Sequence, residues 1–490
     1  MQPVVTAKRL GWLAATTIIL GVIIGAGAGL LTLLLYGVEH VMLGYVEGSE
    51  LPGPFGVPAV RRAISVTIGL TLAGVIWYFL RNKTTKVPSV KKAVAGERMP
   101  VWQTLVHVVL QIGIVGSGAS IGREVAPREL GAMLAQRFCD LFHIEGADGI
   151  DRRMVVAVAA GAGLGGVYNA PLAGMFFAVE ILLVDVTLEK VAFGLGMSAI
   201  AAFVAASIKG HHTFYDITAM QPQSTPTLML FAVLCGAACG VAGAWFRKGS
   251  QCRTSAGRSR GMECVAGAWF RKGSQWAESH QSHDKHILWQ MPLAGLVTGL
   301  AAIVVPQVMG NGRAAAQLGF STFVPEGSAA AGASQSASSA AASPWNLLAG
   351  GGNVSGSAST AVNAGFQLSQ SNIAMLLGVL ALTFVAKALV TLMTIRSGAS
   401  GGVLQPGIAL GSTLGAMLGL IWILLFPADS VTACALIGAA ALLSASQQAP
   451  LMAMCLVMEL TEAPSVFFMP VGLAVAASSL VSKWMLSRRK

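Results

Sequence analysis

The stretch NAPLAGMFFAVE, residues 169–180, returns as QAPLMAMCLVME at residues 448–459, and SGAS at residues 117–120 returns at residues 397–400. The first pair lies 279 positions apart and the second 280, so one offset carries Glu180 onto Glu459. Two unrelated anchors holding one register across half the chain, each in apolar surroundings, imply an ancient duplication. In a membrane chain such duplication marks transporter and channel folds. Their substrate sites lie at the interface between repeats, often where broken helices point their N-termini at an anion.

Composition requires a bilayer. Hydrophobic residues make up 54% and charged residues 11% of the chain, with a mean hydropathy of +0.68, more apolar surface than a water-soluble chain can cover. The first long apolar run, from Leu10 to Val38, is too long for a secretory h-region and lacks a small-residue cleavage pattern, so it reads as a retained span. Later apolar segments near residues 101–115, 154–167, 171–184, 431–444 and 449–460 fall short of the ~20 helical residues needed to cross a membrane. Short segments imply tilted or broken helices. Non-helical backbone at that depth is tolerated only where it is buried in protein or lines a wet cavity, so the Gly-rich joints are where a pathway is sought. The 58 glycines also suit close helix packing.

The formal charge of +11 raises the question of nucleic acid, but its placement answers otherwise. Lys8 and Arg9, the group Arg81, Lys83, Lys86, Lys91, Lys92 and Arg98, the run 247–272 and the run 483–490 all flank apolar spans. Positive charge of this kind faces the cytoplasm, which puts both termini and the 81–98 segment on that side, with Arg61 and Arg62 as the outer exception. No basic, aromatic-interleaved soluble domain is present to bind nucleic acid.

The seven cysteines form no CxxC pair, lie mostly in apolar sequence, and read as small hydrophobes rather than a disulfide or metal framework. His280, His283 and His286 beside Asp284 form a weak metal pattern, and a solvated loop is the favoured reading. VAGAWFRKGSQ occurs at residues 241–251 and again at 265–275, a local tandem copy that enlarges a basic loop. The Ser/Ala/Gly-rich stretch from 325 to about 360 is expected to be a disordered insertion. The organisation is therefore a cytoplasmic segment at 1–9, a first membrane repeat at 10–245, a basic cytoplasmic loop at 246–286 and a second membrane repeat at 287–487.

Chemistry concentrates in GSGASIGREVAPRELGA, residues 116–132. Glycine-rich turns lead there into a helix with Arg123, Glu124, Arg128 and Glu129 near its start. Free backbone N–H groups and the positive end of the helix dipole make such a terminus an anion site, and a carboxylate placed there competes with the anion. The second repeat offers the same geometry at SGASGGVLQP, residues 397–406, through Gly401, Gly402, Val403 and Leu404.

These residues resemble those of the CLC family of chloride channels and proton-coupled chloride transporters. The GREGP motif of that family looks like Gly122-Arg123-Glu124-Val125-Ala126, its GxFxP motif like Gly402-Val403-Leu404-Gln405-Pro406, and its NAPLAG element stands unaltered at 169–174. Order and spacing match from about residue 10 to 487. The resemblance implies an all-α integral membrane protein built as an inverted repeat of two related halves, with many tilted and broken helices. It implies that Glu124 is the gate, that Val403 and Leu404 with Gly402 bind the central anion beside Arg123, and that the protein is a homodimer with one pore per subunit.

Three departures shape the mechanism. The first anion motif of the family, GSGIP, is replaced by Thr84-Thr85-Lys86-Val87-Pro88, which puts Thr85 in the place of the coordinating serine and adds a cation at Lys86. Pro464 and Ser465 stand where a coordinating tyrosine is expected, so Ser465 becomes the inner candidate. Where proton-coupled members carry a second glutamate, this chain has Ile181. That favours a passive channel or weakly coupled carrier, with an H+/Cl- antiporter as the alternative and a fluoride-selective carrier behind it. Glu180, next to Ile181, is either a substitute proton path or, with Glu459, one of two symmetric carboxylates satisfying helix ends.

Other classes fit less well. The spans are read as holding no histidine or paired aspartate, which sets aside an intramembrane enzyme, and the joints open onto helix N-termini rather than the C-termini a cation carrier needs. No cofactor or metal is implied. The expected partners are chloride and similar anions, with protons in the antiporter reading, and the lipid of a cell membrane that the chain crosses many times.

Overall fold

A computed structural model of the chain describes residues 7–47, 54–143, 150–211, 213–217, 220, 223–251, 285–321, 323–325, 366–368 and 370–487. The second tandem copy at 265–275, most of the basic loop including His280 and His283, and nearly all of the 325–360 insertion lie outside these residues.

Among the described residues the architecture is all-helical apart from a parallel pair of three-residue strands, Phe323–Pro325 with Phe366–Leu368. The first repeat runs through α1 (Ala7–Leu43), α2 (Ala59–Lys83), α3 (Val90–Val94), α4 (Val101–Gly116), α5 (Val125–Phe142), α6 (Arg152–Tyr168), α7 (Pro171–Phe176) with a π-helical continuation (Phe177–Leu183), and α8 (Leu188–Lys209). It is followed by α9 (Pro226–Gln251), α10 (Ile287–Val304), α11 (Arg313–Phe320), α12 (Gln370–Arg396), α13 (Leu404–Trp422), α14 (Val431–Gln447), α15 (Pro450–Thr461) and α16 (Phe468–Ser487). Among the described residues eight helices are long and apolar enough to cross a membrane, so the chain is a multi-span membrane protein.

The duplication reappears in the helix boundaries. Helices α6 and α14 are each 17 residues long and start 279 positions apart, as the sequence offset requires. Both stop in the same way: Asn169 (φ 52°) and Gln448 (φ 58°) adopt the left-handed conformation, and Pro171 and Pro450 then open the next helix, where a missing N–H is harmless. The stop is enforced locally, so α6 and α14 are too short to span ~30 Å of hydrocarbon. Instead they are buried nearly all round, the position expected of a helix without a polar face. Small residues allow the approach. A Cβ at Gly161 would strike the Gly174 carbonyl, and one at Gly411 the Gly438 carbonyl, so these crossings need glycine.

The longer helices enclose this centre. Helix α1 packs on α8, α2 on α10, and α9 on both α14 and α16, while exposed Leu, Ile and Val side chains on α1, α2 and α12 face outward. Cys139, Cys235, Cys239, Cys434 and Cys455 are buried free thiols, placed among the apolar side chains.

Candidate anion site between the repeats

Two short joints meet where the repeats meet. In the first, α4 ends at Gly116 and the chain turns through Gly118 (φ 105°) before α5. In the second, α12 ends at Arg396 and the chain turns through Gly398 (φ 109°) before α13. Only glycine adopts these angles without strain, which explains why SGAS survives in both halves. The joints pair antiparallel: Gly122 N–H donates to the Gly402 carbonyl and Gly402 N–H to the Gly122 carbonyl, each at 2.8 Å. Each joint also holds a helix of the other repeat. Ser120 Oγ shares a 2.9 Å hydrogen bond with Thr391 Oγ1 on α12, and Ser400 Oγ lies 3.1 Å from His107 Nε2 on α4.

Glu124 lies at this crossing and is fully buried. It precedes α5 but its carboxylate does not cap its own helix. Instead Leu404 N–H, the first amide of α13, donates to Glu124 Oε1 at 2.6 Å, and Tyr168 O–H donates to Oε2 at 3.2 Å. Arg128 Nε fixes the backbone below by donating to the Glu124 carbonyl at 2.7 Å. The carboxylate thus occupies the anion position at the N-terminus of a helix from the opposite repeat, where unpartnered amides and the dipole favour negative charge. Space for it is made by glycine on both sides, since a Cβ at Gly122 or Gly402 would overlap its oxygens.

The structure therefore brings Glu124, Gly402, Val403 and Leu404 together and gives Gly402 a different part. Its N–H is bonded to Gly122, so it contributes room rather than an amide. Arg123 is buried but turns away, with its guanidinium 5.6 Å from the Tyr168 ring and 5.3 Å from the Phe214 ring. Thr85, just past the end of α2, and Ser465, in the turn before α16, are exposed, and among the described residues no hydrogen bond joins either to the Glu124 cluster. Lys86 is exposed in the same segment as Thr85.

Glu180 and Glu459 form a matched pair. Glu459 accepts from Leu172 N–H and Ala173 N–H, both at 2.8 Å, and Glu180 accepts from Leu451 N–H at 3.3 Å and Met452 N–H at 2.9 Å. Each carboxylate caps the short helix of the other repeat, the arrangement that two symmetric acids satisfying helix ends require.

Several residues were missed. The expectation that the spans contain no histidine fails at His107, within α4. Its Nδ1 accepts from Trp77 Nε1–H at 2.9 Å and its Nε2 is 3.6 Å from Glu129 Oε2, so it is a bonded core histidine. Tyr168, adjacent to the NAPLAG element, was within reach of the motif. Gln405 fills a variable place of its motif, yet its Oε1 accepts from Tyr215 O–H at 2.5 Å and its Nε2 is buried without a hydrogen-bond partner.

A family model described as voltage gated chloride channel matches residues 68–263 and 262–483. A solved slow cyanobacterial Cl-/H+ antiporter superposes with a TM-score of 0.67 at 20% identity, over 96% of this chain and 95% of that one. A CLC-type fluoride/proton antiporter superposes at 0.63 and 16% identity over 98% and 97% of the two chains. A eukaryotic CLC transporter gives 0.61 and 14% over 96% of this chain and 72% of that one. At these identities the solved structures speak for the fold, an inverted repeat of helices, and the family match speaks for kinship. The chain belongs to the voltage-gated chloride channel (CLC) family, as a membrane protein of chloride transport and not an enzyme.

Proposed function

We propose that chloride and similar small anions cross between the two repeats past Glu124, whose carboxylate is the gate. The observation that carries this reading is the 2.6 Å bond from Leu404 N–H to Glu124 Oε1. A charged oxygen on that amide occupies the place a halide would take. Protonation removes the charge and frees Leu404 and Val403 for the anion, so flux rises as the solution is acidified. Thr85 and Ser465, with Lys86, belong to the inner mouth in this reading and not to the central site.

Transport is passive or weakly coupled. Ile181 is half-buried against the apolar core where coupled relatives place a carboxylate, and both oxygens of Glu180 are engaged by Leu451 and Met452, which favours a scaffold role over a proton path. A second reading, chloride–proton exchange, has support from the antiporters that share the fold. Purified protein in liposomes under combined chloride and proton gradients separates them. A reversal potential at the chloride equilibrium value supports the passive reading, whereas a value displaced by the proton gradient, with uphill proton movement, overturns it in favour of exchange.

Two further parts of the reading rest on solvation. The half-buried carboxylates of Glu180 and Glu459 sit beside exposed Leu172 and Leu451, an arrangement lipid cannot solvate, and a second copy of the chain covering this face gives a homodimer. Basic flanks at Lys8, Lys83 and Lys483 put both termini in the cytoplasm of a cell membrane.

A further inference from the structure

A cavity of about 30 Å³ lies next to the gate, lined by Tyr36, Glu47, Arg123, Tyr168, Lys209 and Arg313 among others. It shares Tyr168 with the Glu124 carboxylate, and its volume suits a water or a single halide. The side chains come from distant parts of the chain. Glu47 follows α1, beside the start of α2, to which Arg61 ties it by donating to the carbonyls of Met42 and Val41. The cavity thus lies toward the end of α2 opposite Lys83. Arg313 opens α11, and Lys209 closes α8.

The charges in this cavity are not balanced. Three cations, Arg123, Arg313 and Lys209, line it against one carboxylate, Glu47, with Glu39 behind it accepting the Glu47 N–H at 3.0 Å. Arg123 and Arg313 both lie against the Phe214 ring, 5.3 Å and 4.7 Å from its centre. Glu47 Oε2 is 4.0 Å from Arg123 Nη1 and 3.8 Å from Arg313 Nη1, close enough for attraction but too far for hydrogen bonds. Accordingly Arg123 Nε and Nη1 and Glu47 Oε2 are buried without a hydrogen-bond partner. Arg123 is 3% exposed. Donors buried this deeply are costly to leave unpaired, and a small anion is the group that would satisfy two guanidinium edges at once.

We propose that this cavity is a second binding site for small inorganic anions, in series with the gate, and that the Glu47 carboxylate is its tethered competitor. The proposal rests on the pathway reading only in placing the site on the route to Glu124. An anion entering from this face exchanges with Glu47 between Arg123 and Arg313, while Lys209, anchored on the Gly166 and Val167 carbonyls, supplies the third positive charge. Each repeat boundary would then present one carboxylate that an anion must displace.

The test is anomalous diffraction from crystals grown in bromide, paired with the chloride dependence of labelled-chloride exchange in liposomes. Glu47→Gln is expected to show bromide within hydrogen-bond reach of Arg123 and Arg313 and to lower the half-saturating chloride concentration at least threefold. Arg313→Gln is expected to raise that concentration by a similar factor, which keeps the proposal testable should Glu47→Gln fold poorly. No bromide in the Glu47→Gln cavity, or half-saturation unchanged in Arg313→Gln, overturns the proposal. Bromide at Leu404 N–H in Glu124→Gln reports on the gate separately, so loss of one reading leaves the other standing.

Discussion

Positions 180 and 459 are counterparts in the two repeats, and so are positions 124 and 404, but the two pairs are used in opposite ways. Glu180 and Glu459 kept the same residue and the same task, each capping the short helix of the other half. At the second pair one repeat carries a glutamate and the other a leucine, and the leucine's backbone N–H holds the glutamate's carboxylate. Preserved symmetry built the scaffold, because two equal helix ends need equal caps. Broken symmetry built the gate, because a second carboxylate at 404 would set two negative charges against each other at one crossing.

Changes at the symmetric pair give the largest effect in this comparison, and it falls on stability. Each carboxylate accepts two backbone N–H bonds, so Glu180→Ala or Glu459→Ala should each cost about 3 kcal/mol at 1.5–3 kcal/mol per charge-assisted bond, reduced by partial exposure. The two losses should be equal, as read by thermal unfolding in detergent. A loss at only one site would mean that the symmetry is geometric but not energetic. Chloride flux per folded molecule should stay within about twofold.

The next effect falls on the gate. Gly402→Ala places a methyl where the Glu124 oxygens lie and should displace the carboxylate from Leu404 N–H, removing one charge-assisted bond of about 1.5–3 kcal/mol. Chloride flux should then no longer respond to external pH, with the capping pair intact and thermal stability lowered by no more than the loss of that one bond. Retention of the wild-type pH response would show that the carboxylate is held by other contacts.

How much of this was legible in the sequence depended on whether a feature is local. The short helices and the two stops at Asn169 and Gln448 follow from backbone chemistry within a few residues, the duplication showed in phrases that repeat outright, and the motif spacing located Glu124 and Leu404. The pairing of Gly122 with Gly402 was not legible, since an N–H committed to a partner 280 residues away looks in sequence like a free one. The cavity was equally hidden. Glu47, Lys209 and Arg313 lie in no repeated phrase and no motif, and only the fold brings them to Arg123. Thr85 and Ser465 illustrate the converse: position relative to a motif suggested coordination, while the helix ends that carry them leave both exposed.

The smallest effect is expected at Lys86. An exposed ammonium at the inner mouth acts through solvent, where its reach is ~10 Å at 0.1 M salt, so Lys86→Ala should lower chloride flux by less than about twofold at low salt and by nothing measurable at high salt. Equal flux at low salt would make this lysine a marker of membrane orientation alone.

The claim that Glu124 competes with the anion for the second repeat's amide is tested most directly by chloride efflux from liposomes across external pH, for the wild type and for Glu124→Gln. Wild-type flux is expected to rise on acidification, and variant flux to be preserved and flat, at or above the level the wild type reaches in acid. A pH response that survives unchanged in Glu124→Gln would contradict it.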